Sequence, residues 1–399
     1  MTDWRKWLAN GLLLAWIGLA VGCTAVADKP ELQSAKTFPV ITQVTFDDYR
    51  LQTRQWLTEH RLFLSDDPAA EVEANSPQEW RPNSKPKKGI LLVHGLGDSP
   101  YSFTDIGPVL AENGFLVRTL LLPGHGTRPG DMLNVQIDQW RTLLKKQTEI
   151  LEQEVDQVYL GGFSTGANLV TELALQDERI AGLVLFSPAF ESNAPIDWLA
   201  PWVQGMMPWL RTDMKYRHDI YVRYGNMPTN GFSQYYYSSE SVLNALSEKA
   251  FDKPMLVVVS EADSVVDVQK VLALFGTRFT NPNSRLIWYG APPETEDARV
   301  LVRSASLPEW RISNFSHMGM VFSPDNPLYG INGQFRMCWN GQSDAHYQQC
   351  ENGEEVWYSA WGYETEDKAH ARLTFNPYFA WQNDVMLKVL ASGSVVPKP

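Results

Sequence analysis

The 399-residue chain is 44% hydrophobic and 20% charged, a composition typical of a globular protein with a sizeable core, and it excludes a disordered or low-complexity chain. Its formal net charge of −12 argues against nucleic acid as a partner. No internal repeat and no long low-complexity linker divides the chain, so we expect one folded domain over residues 44–399.

Residues 1–22 have the pattern of an export signal. Two basic residues precede the apolar run Gly11–Gly22, which is shorter than the ~20 residues that a membrane span needs. The segment Leu19–Cys23 resembles a bacterial lipoprotein signal, although Ala20 stands where that family most often has leucine. The resemblance implies a lipidated Cys23, a membrane anchor and a place in the bacterial cell envelope, and Thr24 favours the outer membrane, facing the periplasm. Ordinary secretion and an uncleaved anchor are the alternatives.

The two remaining cysteines, Cys338 and Cys350, are an even pair once Cys23 carries lipid. In an oxidising periplasm they can close a short loop with a disulfide that stabilises the fold by roughly 3 kcal/mol. Two unpaired, buried thiols are the alternative.

Polar residues 23–43 are expected to form a tether, and the rest of the chain alternates between helical and strand patterns. Helices are predicted at Val44–Phe63, Tyr101–Asn113, Gln139–Val155 and Ala167–Leu175. Buried strands are predicted at Lys88–His94, Phe115–Leu122, Gln157–Gly162, Ala181–Ser187, Met255–Ser260 and Arg285–Gly290. Ser65–Lys88 is predicted to be a loop with at most one short edge strand. The alternation predicts an α/β fold with a doubly wound, mostly parallel sheet.

One strand runs directly into Gly162-Phe163-Ser164-Thr165-Gly166, and a helical pattern follows. A serine at this position lies on a sharp strand-to-helix turn, where glycines on both sides avoid steric clashes. Its hydroxyl then projects at the end of the sheet, near a helix N-terminus that favours developing negative charge. Ser164 is therefore a candidate nucleophile, and a glycine-rich turn without chemistry is the alternative.

Five motifs in order resemble the α/β-hydrolase superfamily, in its branch of bacterial carboxylesterases, monoacylglycerol lipases and serine aminopeptidase-like hydrolases. They are His94-Gly95-Leu96-Gly97, Leu122-Pro123-Gly124-His125-Gly126, Gly162-Phe163-Ser164-Thr165-Gly166, Glu261-Ala262-Asp263 and Ser316-His317-Met318. The resemblance covers Lys88 to Val321, with a closing helix near Asn376–Leu390. It implies that Ser164 is the nucleophile, Asp263 the acid and His317 the base. It also implies that the backbone N–H groups of Leu96 and Thr165 form an oxyanion hole.

The residue types agree with that assignment. Acyl transfer needs a base for the serine proton and an anion that holds the imidazole tautomer. Asp263 follows the carboxyl end of a buried strand, where α/β sheets place functional groups, and Asp267 is its main rival. His94 and His125 are interpreted as hydrogen-bonding residues in turns. The remaining histidines show no metal-ligand spacing, so neither a metal nor a cofactor is predicted.

Pro188–Pro254 leaves the sheet for a long connection, and we predict a helical cap insertion at about residues 189–250. Trp198, Trp202, Met206 and Trp209 give this segment a large apolar surface that could line an acyl pocket or touch lipid. A cap core that packs only on itself is the alternative.

Two further segments depart from the family pattern. Ala291–Ile312 looks like an inserted excursion that lengthens the spacing between Asp263 and His317. Residues 322–372 contain the cysteine pair and many aromatic residues, and they could be a disulfide-pinned flap beside the active-site mouth or a surface hairpin.

The sequence thus predicts a serine hydrolase that cleaves carboxylic esters of short or medium acyl chains, monoacylglycerols or lysolipids. An aminopeptidase or amidase of the same fold is one alternative, and it would need a pocket carboxylate for the substrate amine. A non-catalytic envelope lipoprotein is another, which the complete set of triad residues argues against. A small-molecule or lipid ester is the expected partner, and the oligomeric state is left open.

Overall fold

The computed structural model describes residues 29–35, 39, 41–194, 196–212 and 220–393. The predicted export signal, the lipidation site Cys23 and much of the predicted tether lie outside these residues. Ten strands are present in the described part: β1 Glu79–Trp80, β2 Lys88–Val93, β3 Phe115–Leu120, β4 Gln157–Phe163, β5 Ile180–Phe186, β6 Met255–Ser260, β7 Arg285–Tyr289, β8 Val300–Arg303, β9 Trp357–Ser359 and β10 His370–Arg372.

The described α-helices are α1 Phe46–His60, α2 Pro68–Asn75, α3 Ile106–Glu112, α4 Ile137–Glu152, α5 Thr165–Gln176, α6 Ala200–Val203, α7 Thr229–Glu248, α8 Val268–Arg278, α9 Asp344–Glu351 and α10 Phe379–Ala391. None of them is both long enough and apolar enough to cross a membrane.

Eight strands form one sheet in the order β1-β3-β2-β4-β5-β6-β7-β8. Only β1 pairs antiparallel, with β3, and every other pair is parallel. Alternate residues of β2 lie on opposite faces of the sheet: Leu91 and Val93 pack in one apolar cluster, Ile90 and Leu92 in the other. Because both faces are covered, the central strands are continuous apolar runs. The predicted doubly wound α/β fold is confirmed.

The structure corrects three parts of the sequence interpretation. Ser65–Lys88 is not only a loop, since it contains α2, which Asp67 caps by accepting a hydrogen bond from the Ala70 N–H at 3.0 Å. The excursion Ala291–Ile312 adds β8, an eighth strand parallel to β7. The sheet therefore extends by one strand before the chain returns to His317.

Residues 322–372 do not form a surface hairpin, because β9 and β10 pair in parallel. The predicted disulfide is present, joining Cys338 to Cys350 with a Cα–Cα distance of 5.5 Å. Both cysteines are buried in the same apolar cluster as Tyr347 and Tyr358. The segment is therefore part of the core on one face of the main sheet.

Candidate active site

Ser164 lies on the sharp turn between β4 and α5. Its φ of 54° and ψ of −119° are a strained conformation for a residue with a Cβ atom. Glycines on either side make the turn possible, because a Cβ on Gly162 would lie 2.4 Å from the amide nitrogen of Ala167. A Cβ on Gly166 would lie 2.1 Å from the carbonyl oxygen of Val93. The two glycines and the strained serine form the sharp strand-to-helix turn that the sequence pattern predicts.

His317 lies between Ser164 and Asp263. Its Nε2 is 3.0 Å from the Ser164 Oγ, and its Nδ1 is 2.6 Å from an oxygen of Asp263. With the proton on Nδ1, the imidazole donates to the carboxylate and accepts from the serine hydroxyl. The ring packs 5.1 Å from that of Phe163, centroid to centroid. The structure thus brings together the three side chains from distant parts of the chain.

Asp263, and not Asp267, reaches the histidine. The Asp263 side chain is fully buried, and its second oxygen accepts hydrogen bonds from the N–H groups of Val265 and Val266 at 2.8 and 3.2 Å. Asp267 instead caps α8, where it accepts from the Lys270 N–H at 2.9 Å. The two neighbouring carboxylates therefore have different roles. Asp263 contacts His317, whereas Asp267 caps a helix.

Two serines at the ends of strands hold the histidine loop in place. Ser187, directly after β5, donates from its hydroxyl to the carbonyl oxygen of His317 at 2.8 Å. Ser260, the last residue of β6, donates to the carbonyl oxygen of Phe315 at 2.9 Å. The sequence analysis did not single out either residue. Their position at the carboxyl ends of buried strands is the signal that could have indicated them.

On its opposite side, the same loop is hydrogen-bonded to the segment that contains the disulfide. The Ala360 N–H donates to the side-chain oxygen of Asn314 at 2.7 Å, and the Ser313 N–H donates to the carbonyl oxygen of Tyr358 at 2.9 Å. The hydroxyl of Ser316 donates to the main chain at Leu373. The segment that follows His317 in the sequence therefore supports the loop that leads into His317.

Leu96 and Thr165 are the predicted oxyanion donors. Thr165 is the first residue of α5, where main-chain N–H groups have no partner within the helix and carry partial positive charge. Leu96 lies in the loop after β2, next to Gly95, at which an added Cβ would approach the Ser164 Cβ to 3.0 Å. Among the described residues, neither amide donates to another group. Both are therefore available to a substrate oxygen.

His94 and His125 stabilise turns around this loop. His94 Nε2 accepts from the Leu122 N–H at 3.1 Å, and His125 Nε2 accepts from the Gly97 N–H at 3.0 Å. Burial lowers the pKa of His125 to about 4 and the pKa of His94 well below its usual value. Both rings are therefore neutral acceptors at neutral pH, in agreement with their interpretation as turn residues.

The four cap residues proposed to line an acyl pocket have different surroundings. Trp202 and Met206 are highly exposed, at 77% and 74% of their surface, and Trp198 is about half exposed. Trp209 is buried and forms a bridge with Pro228 within the cap. No described contact joins these four side chains to the triad. The first three therefore lie on the outer surface of the cap.

A charged pair that was not predicted lies close to Ser164. Asp98 lies near Gly95 as Ser164 does, since an added Cβ on Gly95 would lie 3.1 Å from the Asp98 carboxylate and 3.0 Å from the Ser164 Cβ. Arg223, from the cap, approaches Asp98 at 3.9 Å. Burial raises the pKa of Asp98, while the positive charges of Arg223 and of protonated His317 act in the opposite direction. Within the described residues, no group of three or more potential ligands could hold a metal.

Known proteins resemble a part of the chain that includes Ser164 and Asp263. The family described as serine aminopeptidase, S33, matches residues 84–290. A thermostable monoacylglycerol lipase of Bacillus sp. (strain H-257) is 30% identical over 106 residues, which are 27% of this chain and 42% of that protein. A pimeloyl-[acyl-carrier protein] methyl ester esterase of Aromatoleum aromaticum is 32% identical over 120 residues, 29% of this chain and 44% of that protein. The chain thus spans less than half the length of these two relatives.

Among solved structures, a monoacylglycerol lipase of Paleococcus ferrophilus aligns with 21% identity and a TM-score of 0.44, covering 54% of this chain and 88% of that one. The family match extends from before β2 to the end of β7 and so includes the nucleophile turn and Asp263. Because it covers more than half of the sequence, the chain belongs to the serine aminopeptidase, S33, family of the α/β-hydrolase superfamily.

Proposed function

We propose that this protein is a serine hydrolase that cleaves carboxylic esters through an acyl-enzyme. The observation that carries the proposal is the continuous hydrogen-bond path from the Ser164 Oγ to His317 at 3.0 Å and from His317 to Asp263 at 2.6 Å. An esterase and a lipase among the similar proteins support the ester class over other substrates of the fold.

In the proposed reaction the Ser164 oxygen attacks the ester carbonyl while His317 Nε2 takes the hydroxyl proton. The negative charge on the tetrahedral oxygen is stabilised by the N–H groups of Leu96 and Thr165. His317 then gives its proton to the departing alcohol, and the acyl group remains on Ser164. In the second half, water loses a proton to His317 and attacks the acyl carbon; the bond to the Ser164 oxygen then breaks, His317 returns the proton to that oxygen and the acid is released. Asp263 stabilises the imidazolium at each step.

An aminopeptidase of the same fold remains the second candidate, because the family is described by that activity and Asp98 is a carboxylate beside the nucleophile. A substrate ammonium would, however, have to approach Arg223, which lies 3.9 Å from that carboxylate. The repulsion between the two cations disfavours amine substrates. A purely binding role is disfavoured as well, since it gives no reason to keep the strained backbone of Ser164.

The test of the chemistry compares Ser164→Ala and His317→Ala with the wild type on p-nitrophenyl esters of increasing chain length, on monoacylglycerols and on aminoacyl p-nitroanilides. Each variant should lose on the order of 10⁴-fold in kcat because the triad acts as a unit. A fluorophosphonate probe should label the wild type and the control Ser247→Ala, whose serine lies on the exposed side of α7. Labelling of Ser164→Ala would exclude this nucleophile, and faster cleavage of anilides than of every ester would favour the aminopeptidase.

We further propose that the protein is anchored by lipid at Cys23 in the bacterial outer membrane, with its cap close to the bilayer. The described chain begins at Lys29, whose Nζ donates to the carbonyl oxygen of Thr212 in the cap at 2.5 Å. Five residues lie between Cys23 and Lys29, so an extended chain over these six residue steps reaches at most about 20 Å. The exposed cap residues Trp202 and Met206 lie in the same insertion and would face lipid.

Fractionation tests this location. The wild type should partition with membranes and incorporate a fatty-acid probe, whereas Cys23→Ser should do neither. Adding Ser34→Cys to Cys23→Ser restores a cysteine outside the lipoprotein signal. This double variant is the control for the cysteine itself, because it should not regain the lipid. Probe incorporation that persists in Cys23→Ser would contradict the proposed anchor.

A further inference from the structure

The predicted oxyanion donor Leu96 is the second residue of a four-residue turn after β2. The turn runs from Gly95 to Asp98, and the Asp98 N–H closes it by donating to the Gly95 carbonyl oxygen at 3.2 Å. Its third residue, Gly97, has a φ of 78°, which is typical of a type II turn and favours glycine. Because the Gly95 carbonyl and the Leu96 N–H belong to one planar peptide group, the bond that closes the turn also orients the donor.

The cap holds this turn at Gly97. The Tyr224 N–H donates to the Gly97 carbonyl oxygen at 2.7 Å. That carbonyl belongs to the same peptide group as the Asp98 N–H, which donates to Gly95. Two peptide groups therefore lie in a row between Tyr224 and the Leu96 N–H, and each accepts at its oxygen and donates at its nitrogen. Hydrogen bonds in such a chain polarise one another, so the bond from the cap strengthens the donor as well as orienting it.

The Tyr224 side chain fixes the position of its own main chain. The hydroxyl donates to the Gly124 carbonyl oxygen at 3.0 Å and accepts from the Thr127 N–H at 3.0 Å. The ring lies parallel to that of His125, with an angle of 1° between the planes and 6.1 Å between the centroids. His125 is the residue whose Nε2 accepts from the Gly97 N–H at 3.0 Å. The tyrosine is thus held by the same loop that supports Gly97 from the other side.

The loop that receives the tyrosine hydroxyl is itself held in place. The Thr127 hydroxyl donates to an oxygen of Asp131 at 2.5 Å, and Asp131 is buried. The other oxygen of Asp131 accepts from the Ala35 N–H at 2.6 Å. The contacts of the Tyr224 side chain therefore end on a buried, hydrogen-bonded frame. Such a frame is what positioning a catalytic donor to within about 0.5 Å requires.

We propose that Tyr224 is a positioning residue of the oxyanion hole, acting through the peptide groups of Gly97 and Gly95 on the Leu96 N–H. The inference rests on the proposed ester hydrolysis and assigns a role in it to the cap. Loss of this support should weaken the stabilisation of the tetrahedral oxygen. It should leave the binding of the intact ester unchanged, because the ester carbonyl carries little of the negative charge that the transition state develops.

An amide-to-ester substitution tests the main-chain bond directly. Nonsense suppression with the α-hydroxy acid of tyrosine at position 224 removes the N–H donor and keeps the side chain. The kcat for p-nitrophenyl hexanoate should fall on the order of tenfold, less than the 10²- to 10³-fold cost of losing an oxyanion donor outright, and KM should stay within about twofold. The same substitution at Tyr221, in the same cap segment, is the control and should keep kcat. An unchanged kcat in the Tyr224 ester would contradict the inference.

Tyr224→Phe tests the side chain, and Tyr221→Phe is its matched control because both tyrosines line one cavity of about 440 Å³. Tyr224→Phe should lower kcat on the order of tenfold. It should weaken the binding of butylboronic acid by the same factor, because the tetrahedral adduct of that acid with Ser164 places an oxygen in the oxyanion hole. Tyr221→Phe should change neither quantity. A raised KM at unchanged kcat in Tyr224→Phe would mean that the hydroxyl contacts the substrate, and it would overturn the inference.

Hydrogen exchange separates the two proposals because it needs no turnover. In Tyr224→Phe the amides of residues 94–98 should exchange on the order of tenfold faster than in the wild type or Tyr221→Phe, because the turn opens more readily. Faster exchange in a protein that cleaves no ester would reject the esterase and keep the support of the turn by Tyr224. Ester cleavage with unchanged kcat and unchanged exchange in Tyr224→Phe would leave the esterase standing and reject the role of Tyr224.

Discussion

Lowering the pH from 7 to 5 should destabilise this protein through His125. The ring is 2% exposed, and its Nε2 accepts from the Gly97 N–H at 3.0 Å, while Nδ1 donates to the carbonyl oxygens of Leu122 and Pro123 at 3.2 and 3.3 Å. Protonation would turn the acceptor Nε2 into a donor that faces another N–H. The loop that contains Leu96 would then lose the hydrogen bond that fixes its turn.

The size of the effect follows from the change of pKa. Burial lowers the pKa of His125 from 6.5 to about 4, so between these values the unfolded chain binds a proton that the folded protein does not. Stability from this group is complete above pH 6.5 and is lost progressively as the pH falls toward 4. At 1.36 kcal/mol per pH unit, the loss between pH 7 and pH 5 is about 2 kcal/mol. His94, whose pKa is also lowered by burial, adds a loss of the same sign.

Urea unfolding of the wild type and of His125→Gln at pH 7 and pH 5 measures this loss. The free energy of unfolding should fall by about 2 kcal/mol more in the wild type than in the variant, because both proteins share all their carboxylates. His60→Gln, at the partly exposed end of α1, is the matched control for the substitution itself. An equal pH dependence in the wild type and His125→Gln, or an NMR titration of His125 near pH 6.5, would refute the reasoning.

Further predictions concern the carboxylates, the disulfide and the nucleophile turn. Asp263→Asn should lower kcat by on the order of 10⁴-fold because the imidazole loses its orienting anion. Asp267→Asn should keep nearly full esterase activity and cost at most about 1 kcal/mol in unfolding, and the reverse ranking would reassign the acid. Replacing Cys338 and Cys350 together by serine should reduce the unfolding free energy by about 3 kcal/mol in calorimetry, and an unchanged Tm would contradict this. Gly166→Ala should yield little soluble protein in expression trials, since its Cβ would lie 2.1 Å from a main-chain oxygen; wild-type yield and activity would disprove the packing argument.

Local sequence patterns were sufficient to predict the central strands of the sheet. Strands β2 to β7 are continuous apolar runs because both faces of the sheet are covered, and the predicted bounds agree with the structure to within two residues. The helix α2 was missed because it is short and Val72 is its only large apolar side chain, so it shows no apolar periodicity and only the cap at Asp67 marks its beginning. The strand β8 was missed because it is short and only partly buried at the sheet edge.

Local sequence patterns did not predict contacts between residues that are distant in the sequence. The parallel pairing of β9 with β10 requires a crossover between them, and no turn motif indicates such a pairing. Arg223 comes from the cap and Asp98 from the loop after β2, and each is unremarkable in its own local sequence. Ser164, Asp263 and His317 could be named in advance only because their motifs are locally distinctive. The contact between Arg223 and Asp98 has no such motif, so only the folded structure indicates it.

The segment that follows His317 helps to hold the loop that places His317 beside Ser164 and Asp263. The histidine loop has main-chain and side-chain bonds to Tyr358 and Ala360 on one side and to Ser187 on the other. An error of about 1 Å in the position of a catalytic group can cost on the order of 10² in rate, so both supports bear on turnover. The disulfide joins two residues of the segment that precedes β9 and lies in the cluster that contains Tyr358. Oxidation of the cysteine pair therefore stabilises the same core that positions His317, and this coupling suits a protein proposed to work in an oxidising compartment.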